Sequence, residues 1–281
     1  MDELKKLTRL GQDTPYVDQY DPKQLTPVPR ALSRDSLPGE PSWHGYDEWW
    51  GYELSWLNSK GRPEVRMVRF RFSPDSPFLI ESKSFKLYLN SFNQTRFSDE
   101  RAVRERLVED LSSATGQIVD VLICPVQSLA ADASTTEEGG QFECTLLDTL
   151  DVEVDVYTPS ASLLEKDDSG PSGGTWVSHL LRSNCPVTGQ PDWGSVLIHL
   201  EGAACTQESL LRYIISYRQH QGFHEHCVES MYTDLMHKLK PEKLMVMARY
   251  TRRGGLDINP VRASHPELLD VAEKWGRVNR Q

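Results

Sequence analysis

Two blocks of this chain carry residues able to do chemistry. In Ser183-Asn184-Cys185-Pro186-Val187-Thr188-Gly189-Gln190-Pro191-Asp192-Trp193-Gly194, a thiol sits among turn-forming residues and a carboxylate follows, flanked by Pro191 and Trp193. Such a pair can serve as nucleophile and proton donor. Cys185 has two readings, a buried structural thiol or a reacting group on a loop placed by a rigid scaffold, and the residues alone do not choose between them. Pro191-Asp192 by itself is ordinary turn chemistry. Packed against Trp193 and partly desolvated, the same carboxyl would suit proton donation near neutral pH. The second block, Glu81-Ser82-Lys83-Ser84-Phe85-Lys86-Leu87-Tyr88, sets one acid and two bases at the mouth of an apolar run.

Two further clusters stand out. His224-Glu225-His226 opens a helical pattern, which makes Glu225 either a dipole-stabilising acid flanked by surface histidines or a carboxylate able to grip paired N–H donors of a purine-like ring. It lacks the second histidine spacing of a zinc protease. Arg249, Arg252 and Arg253 precede Gly254-Gly255 at a strand end, where glycines allow close backbone approach and arginines could hold a phosphate. No Gly-x-Gly-x-x-Gly follows a strand, so a Rossmann site is not supported.

The elements that must position these groups follow from periodicity. Pro27, Pro29, Pro38 and Pro41 make the first forty residues an extended arm. Tyr46 to Leu57 and the alternating Arg66-Met67-Val68-Arg69-Phe70-Arg71-Phe72 predict strands. One helix begins near Ser84. Another is capped by Ser98, with Asp99-Glu100 in its first turn and Val103, Leu107 and Leu111 on one face. Strands are predicted at Gln117 to Cys124 and, as one or two, at Phe142 to Val156. After a Gly- and acid-rich break at Glu165 to Gly174 the order restarts. It runs through strands at Trp176 to Leu181 and Ser195 to Leu200, a helix capped by Thr206, and a helix from His224. Strands at Lys243 to Tyr250 and Leu256 to Val261 close it. The expected class is α+β, with a duplicated antiparallel sheet bearing two helices on one face. The uncovered face points to an oligomer. An acidic insert at Ala130 to Gly140 has no legible role.

Composition narrows the class further. The 281 residues can bury one large core or two ordinary ones, and the net charge of −10 argues against a nucleic-acid partner. The charged start and the lack of long apolar runs predict no leader and no membrane span. Five scattered cysteines (Cys124, Cys144, Cys185, Cys205, Cys227) suit free thiols in a reducing cytosol and supply no zinc spacing.

Taken together, the two opening blocks, His224-Glu225 and Arg252-Arg253-Gly254-Gly255-Leu256-Asp257-Ile258-Asn259-Pro260 closely resemble the NADPH-dependent 7-cyano-7-deazaguanine reductases of queuosine biosynthesis in their long form. The resemblance runs from about Tyr20 to Pro260, with no departure at a motif position. It implies tandem tunnelling-fold modules: an arm at residues 1–42, a first module at 43–165 with Glu81-Ser82-Lys83, and a second at 166–281 with Cys185, Asp192 and Glu225. It also implies a cytoplasmic homodimer that uses NADPH and no metal to reduce a nitrile to a primary amine, with two NADPH per turnover.

By resemblance, Cys185 is the nucleophile forming a thioimide and Asp192 the general acid. Ile80, Glu81, Ser82, His224 and Glu225 bind the deazapurine, and Ser82, Lys83, Arg253 and Gly254 contact NADPH. Two rival readings remain. One is a zinc-dependent pterin or purine hydrolase of the same fold, which needs a clustered metal set. The other is a non-catalytic ligand-binding relative, in which Cys185 is an ordinary thiol.

Overall fold

Residues 16–39, 41–126, 143–167 and 172–281 are described by a computed structural model. They fall into two units. The first unit holds residues 16–34, 47–126 and Arg252–Ile258; the second holds 35–39, 41–46, 143–167, 172–251 and Asn259–Gln281.

In the first unit, strands β2 (His44–Leu57, from Asp47 onward), β3 (Pro63–Phe72) and β5 (Asp120–Cys124) pair antiparallel with β3 central. Strand alternation sorts β3 by face. Val68, Phe70 and Phe72 enter the core, while Arg69 and Arg71 meet Asp120 and Glu48. The core is completed by Phe85, Tyr88 and Leu89 of α2 (Ser82–Asn90) and Val103, Leu107 and Leu111 of α3 (Glu100–Thr115). The predicted stripe on the second of these helices is therefore its buried face. Its cap is Asp99, not Ser98: an Asp99 carboxylate oxygen accepts from the Ala102 N–H at 2.8 Å, the bond that defines an N-cap.

Part of the proline-rich arm pairs as a strand. Strand β1 (Pro27–Pro29) pairs antiparallel with β4 (Phe78–Ile80), Pro27 opposite Ile80. A four-residue helix, α1 (Ala31–Arg34), follows the arm strand.

In the second unit, β9 (Pro191–Glu201) lies between β7 (Gly173–Ser178) and β10 (Lys243–Tyr250), antiparallel to both. Strand β10 pairs in turn with β11 (Leu256–Ala263), whose residues from Asn259 belong here. The short β6 (Thr145–Leu146) adds to β7 in parallel, an exception to the expected antiparallel pattern. Val196, Ile198 and Leu200 pack under α4 (Gln207–Ser216) and α5 (His224–Leu239). The other face is not bare as expected. The C-terminal α6 (Leu269–Lys274) covers it, with Leu268, Ala272 and Trp275 against Leu197, Met245 and Met247. That cover removes the open-face argument for self-association in this unit.

The two units repeat one helical scaffold. Glu81 and Thr206 cap α2 and α4. The Ser84 and Ser209 hydroxyls donate to those capping residues' carbonyls and accept from the N–H groups of Thr26 and Glu165. The Tyr88 and Tyr213 hydroxyls donate to Asp110 and Asp234 on the next helix, 22 and 21 residues further on. Ser91 and Ser216 then donate back to the tyrosine carbonyls at 2.6 Å.

One expectation changes. Of the stretch predicted as strand from Phe142 to Val156, Phe142 lies outside the described residues. In the rest, only Thr145–Leu146 is strand, followed by a 3-10 turn at Leu147–Thr149 and irregular chain. The insert at Ala130 to Gly140 also lies outside the described residues.

Candidate active site

The second unit builds its site on a short hairpin that the sequence did not announce. Strand β8 (Arg182–Asn184) pairs with the start of β9, setting Ser183 opposite Asp192 and Asn184 opposite Pro191. The connecting loop is closed by Cys185 N–H donating to the Gln190 carbonyl at 2.8 Å and Gly189 N–H donating to the Cys185 carbonyl at 3.0 Å. Gly189 has φ +67°, the left-handed conformation glycine adopts without penalty. Cys185 is thus held by backbone bonds on both sides, partly exposed at the loop's start.

The far edge of β8 fixes the approach to α5. Asn184 N–H donates to the His220 carbonyl at 2.8 Å, and Gly222 N–H donates to the Asn184 carbonyl at 3.3 Å. One strand residue therefore ties the thiol's loop to the segment that opens into His224 and Glu225. Those two residues form the first turn of α5, whose N-cap Phe223 offers no side-chain acceptor.

Asp192 and His224 are brought together: Asp192 Oδ2 lies 3.8 Å from His224 Nε2, with Asp192 only 4% exposed. The His224 ring stands edge-on to Tyr250, centroids 3.9 Å apart. Glu225 is 2% exposed. Beneath them lies Cys227, its thiol pushed up to about 12, first by burial and further by the carboxylates of Asp192 and Glu225. Burial likewise holds the Tyr250 hydroxyl well above its ordinary value.

Three expectations need correction. Trp193 does not bury Asp192, because adjacent strand residues point to opposite faces. Trp193 stays 38% exposed among arginines, and Asp192 is enclosed from the α5 side. The neighbours of Glu225 are not both surface histidines: His226 is half-buried, its ring tilted against that of His220 with centroids 5.6 Å apart, and burial and then the His226 charge drive His220 down to about 4. Arg249 is no phosphate ligand. It is buried, and its guanidinium donates to the Trp275 carbonyl.

The first unit gathers the remaining candidates. Glu81 is wholly buried, and its two oxygens accept from the Lys83 and Ser84 N–H groups, each at 2.7 Å. Its carboxyl is nonetheless raised, because burial outweighs those two bonds. Its own N–H donates to the Thr26 carbonyl at 3.0 Å, and Ile80 is paired in β4, so the arm holds this segment directly. Ser82 and Lys83 open α2, both partly exposed.

Arg253 and Gly254 lie on a two-residue turn. Arg253 and Leu256 exchange backbone bonds, and Gly254 and Gly255 both have positive φ (+58° and +80°), the signature of the tightest hairpin turn. A Cβ on Gly254 would stand 3.1 Å from Lys86 Nζ. A turn bare of side chains, flanked by Lys86, Arg252 and Arg253, fits the phosphates of a dinucleotide.

The profile described as "Nitrile reductase, 7-cyano-7-deazaguanine-reductase N-term" matches residues 16–123, and that of "QueF-like protein" matches 191–268. A protein of Hahella chejuensis named NADPH-dependent 7-cyano-7-deazaguanine reductase is 52% identical over 95% of this chain and 97% of its own. This chain belongs to that reductase family. Other members from Chromohalobacter salexigens and Polaromonas sp. are 51% and 48% identical, over 92% and 96% of this chain and 92% and 98% of theirs. Among solved structures, the apo archaeosine synthase QueF-Like aligns over 34% of this chain and 96% of its own. That match has 20% identity and a TM-score of 0.32.

Reading the residues missed the parts of this reductase that only folding assembles. Tyr250 ends a strand with no hint of a partner, yet its ring supports His224. Lys86, already one of the two bases of the Glu81–Tyr88 block, reaches the Gly254 turn, a contact that the sequence did not show. Asn184 Oδ1 is buried without a hydrogen-bond partner beside the thiol.

Proposed function

We propose that this chain reduces the nitrile of 7-cyano-7-deazaguanine to the primary amine with two NADPH per turnover, working as a cytosolic homodimer of tandem tunnelling-fold modules. The observation that carries the reading is the hairpin that fixes Cys185 at its loop and sets Asp192, buried, against His224. Among the described residues no three metal-ligating side chains gather.

A nitrile is a weak electrophile, and a covalent step divides the difficulty. The Cys185 sulfur adds to the nitrile carbon, its proton passes to Asp192, and Asp192 delivers a proton to the nitrile nitrogen. The product is a thioimide with a C=N–H bond. His224, beside Asp192, orients the carboxyl and takes part in returning its proton. After the first reduction Cys185 leaves as thiolate, yielding the imine; one proton from solvent restores the thiol and a second reaches nitrogen in the second reduction.

Glu225 and His224, with Ile80, Glu81 and Ser82, hold the deazapurine. Ser82, Lys83, Arg253 and Gly254 hold NADPH, which when bound supplies the hydride for each of the two reductions.

The test is direct. Mixed with 7-cyano-7-deazaguanine, the protein gains the mass of one ligand and a near-ultraviolet band, both absent in Cys185→Ala. Added NADPH is then consumed two per nitrile. Ligand binding with neither adduct nor NADPH oxidation would refute the reading and leave a binding protein.

A further inference from the structure

Around Trp193, in the second unit, three arginines converge from separate parts of the chain. Arg182 of β8 stands across the hairpin from Trp193 with its guanidinium 5.5 Å from the ring centroid. Arg218, from the turn after α4, lies at 5.8 Å, and Arg280, near the C-terminal residue, at 5.9 Å. They line a cavity of about 590 Å³ together with His179, Tyr157 and Ile215. No carboxylate lines it, and among the described residues none pairs with any of the three guanidiniums. This is unusual in a chain of net charge −10, whose surplus of acids could neutralise such a cluster.

The cations are also aimed. Arg182 Nη1 donates to the Arg218 carbonyl and Arg280 Nη1 to the His179 carbonyl, each at 2.7 Å. Each bond uses one N–H and fixes the planar fork, leaving the other donors of that guanidinium for a ligand. Like charges held this close repel one another, and a bound oxyanion relieves the repulsion while accepting from several donors at once. A volume in the range of small-molecule sites with one aromatic wall suits a phosphate attached to an organic group.

We propose that this cavity binds a phosphate-bearing small molecule, with Arg182, Arg218 and Arg280 holding the phosphate oxygens and the exposed Trp193 face contacting the organic part. The site lies outside the residues assigned above to NADPH, and its chemistry is that of either a dinucleotide phosphate or a separate phosphate ester.

The test uses the full chain at low salt, titrated with inorganic pyrophosphate by calorimetry. Wild type is expected to bind saturably, and Arg218→Gln and Arg280→Gln each to bind about tenfold more weakly, the scale of losing one charge-assisted pair. Matched circular dichroism and melting curves show that these variants are folded. Trp193→Phe retains pyrophosphate binding and loses the accompanying change in tryptophan fluorescence.

If pyrophosphate competes with NADPH and Arg218→Gln raises the KM for NADPH with kcat unchanged, the phosphate is the dinucleotide's own. If pyrophosphate binds while the KM is unmoved, the ligand is a separate phosphate ester. No saturable uptake by wild type, or equal affinity in wild type and both arginine variants, overturns the proposal.

Discussion

Glu81 joins two roles that a pair of substitutions can separate. It is a proposed substrate contact, and its two oxygens also cap α2 through the N–H groups of Lys83 and Ser84 at 2.7 Å, in a site with no solvent exposure. Glu81→Ala removes both acceptors. Each buried N–H left unmet costs about 1–3 kcal/mol, and water entering the vacated space offsets part of that, so the expected loss is about 2–4 kcal/mol. For a chain of this size that lowers the melting temperature by roughly 3–7 °C. Glu81→Gln keeps one acceptor oxygen and turns an NH₂ toward the other N–H, so about half the loss is expected.

The pH dependence supplies an independent sign. Burial raises the Glu81 carboxyl above its ordinary 4.5, so the folded chain holds this proton more tightly than the unfolded chain does. Its contribution to stability is fully present below pH 4.5 and is lost as pH rises through the folded value. Glu81→Gln abolishes that slope. Thermal melts of the three proteins from pH 4 upward test the reasoning. A melting temperature unchanged in Glu81→Ala would show that the carboxylate does not hold the helix, and a slope of equal size in Glu81→Gln would show that another group titrates.

Four further outcomes follow from the same geometry. Asp192→Asn is expected to retain substrate binding and lower the rate of adduct formation by about 10²–10⁴-fold, the usual share of general acid catalysis, as read by stopped-flow absorbance. Iodoacetamide at pH 8 followed by peptide mass analysis should alkylate Cys185 and leave Cys205 and Cys227 unmodified, since burial pushes those thiols up to about 11 and about 12. Arg262→Ala, which strands the Glu229 carboxylate now held at 2.7 Å in a buried pair, should cost about 3–5 kcal/mol in denaturant unfolding. Gly255→Ala should destabilise the first unit by about 1–2 kcal/mol in thermal melts, because φ +80° is a left-handed conformation that strains any side chain, while the exposed Glu53 carboxyl beside the new Cβ can swing aside.

What could be read from the residues was whatever depends on periodicity within one element. The arginine and apolar alternation of β3 predicts its two faces, and Val103, Leu107 and Leu111 predict the buried stripe of α3. The same logic misleads at Val152 to Val156, where alternation is present but among the described residues no strand pairs with it. Strand β8 is three residues long, too short to show a period, and yet it carries the thiol's anchor. Motif resemblance gathered Cys185, Asp192, His224 and Glu225 as a set, but the 3.8 Å approach of Asp192 to His224 depends on how α5 packs on β9 and β10. No local pattern encodes that approach.

The repeated scaffold shows where such a fold can vary cheaply. Positions that satisfy buried polar groups recur in both units: Ser84 and Ser209, Tyr88 and Tyr213, Ser91 and Ser216. Losing any one of them would leave a buried partner unmet, so their chemistry is tightly constrained. Helix starts are less constrained, because the first N–H groups have no intrahelical acceptor and several side chains can serve. It is there that the units differ. Glu81 caps α2 with two oxygens and Thr206 caps α4 with one hydroxyl, while α3 is capped by Asp99 and α5 has no side-chain cap and places His224 and Glu225 in its first turn. The proposed substrate residues Glu81, Ser82, His224 and Glu225 thus lie at helix starts, where a helical scaffold shared by the two units can present different side chains in each.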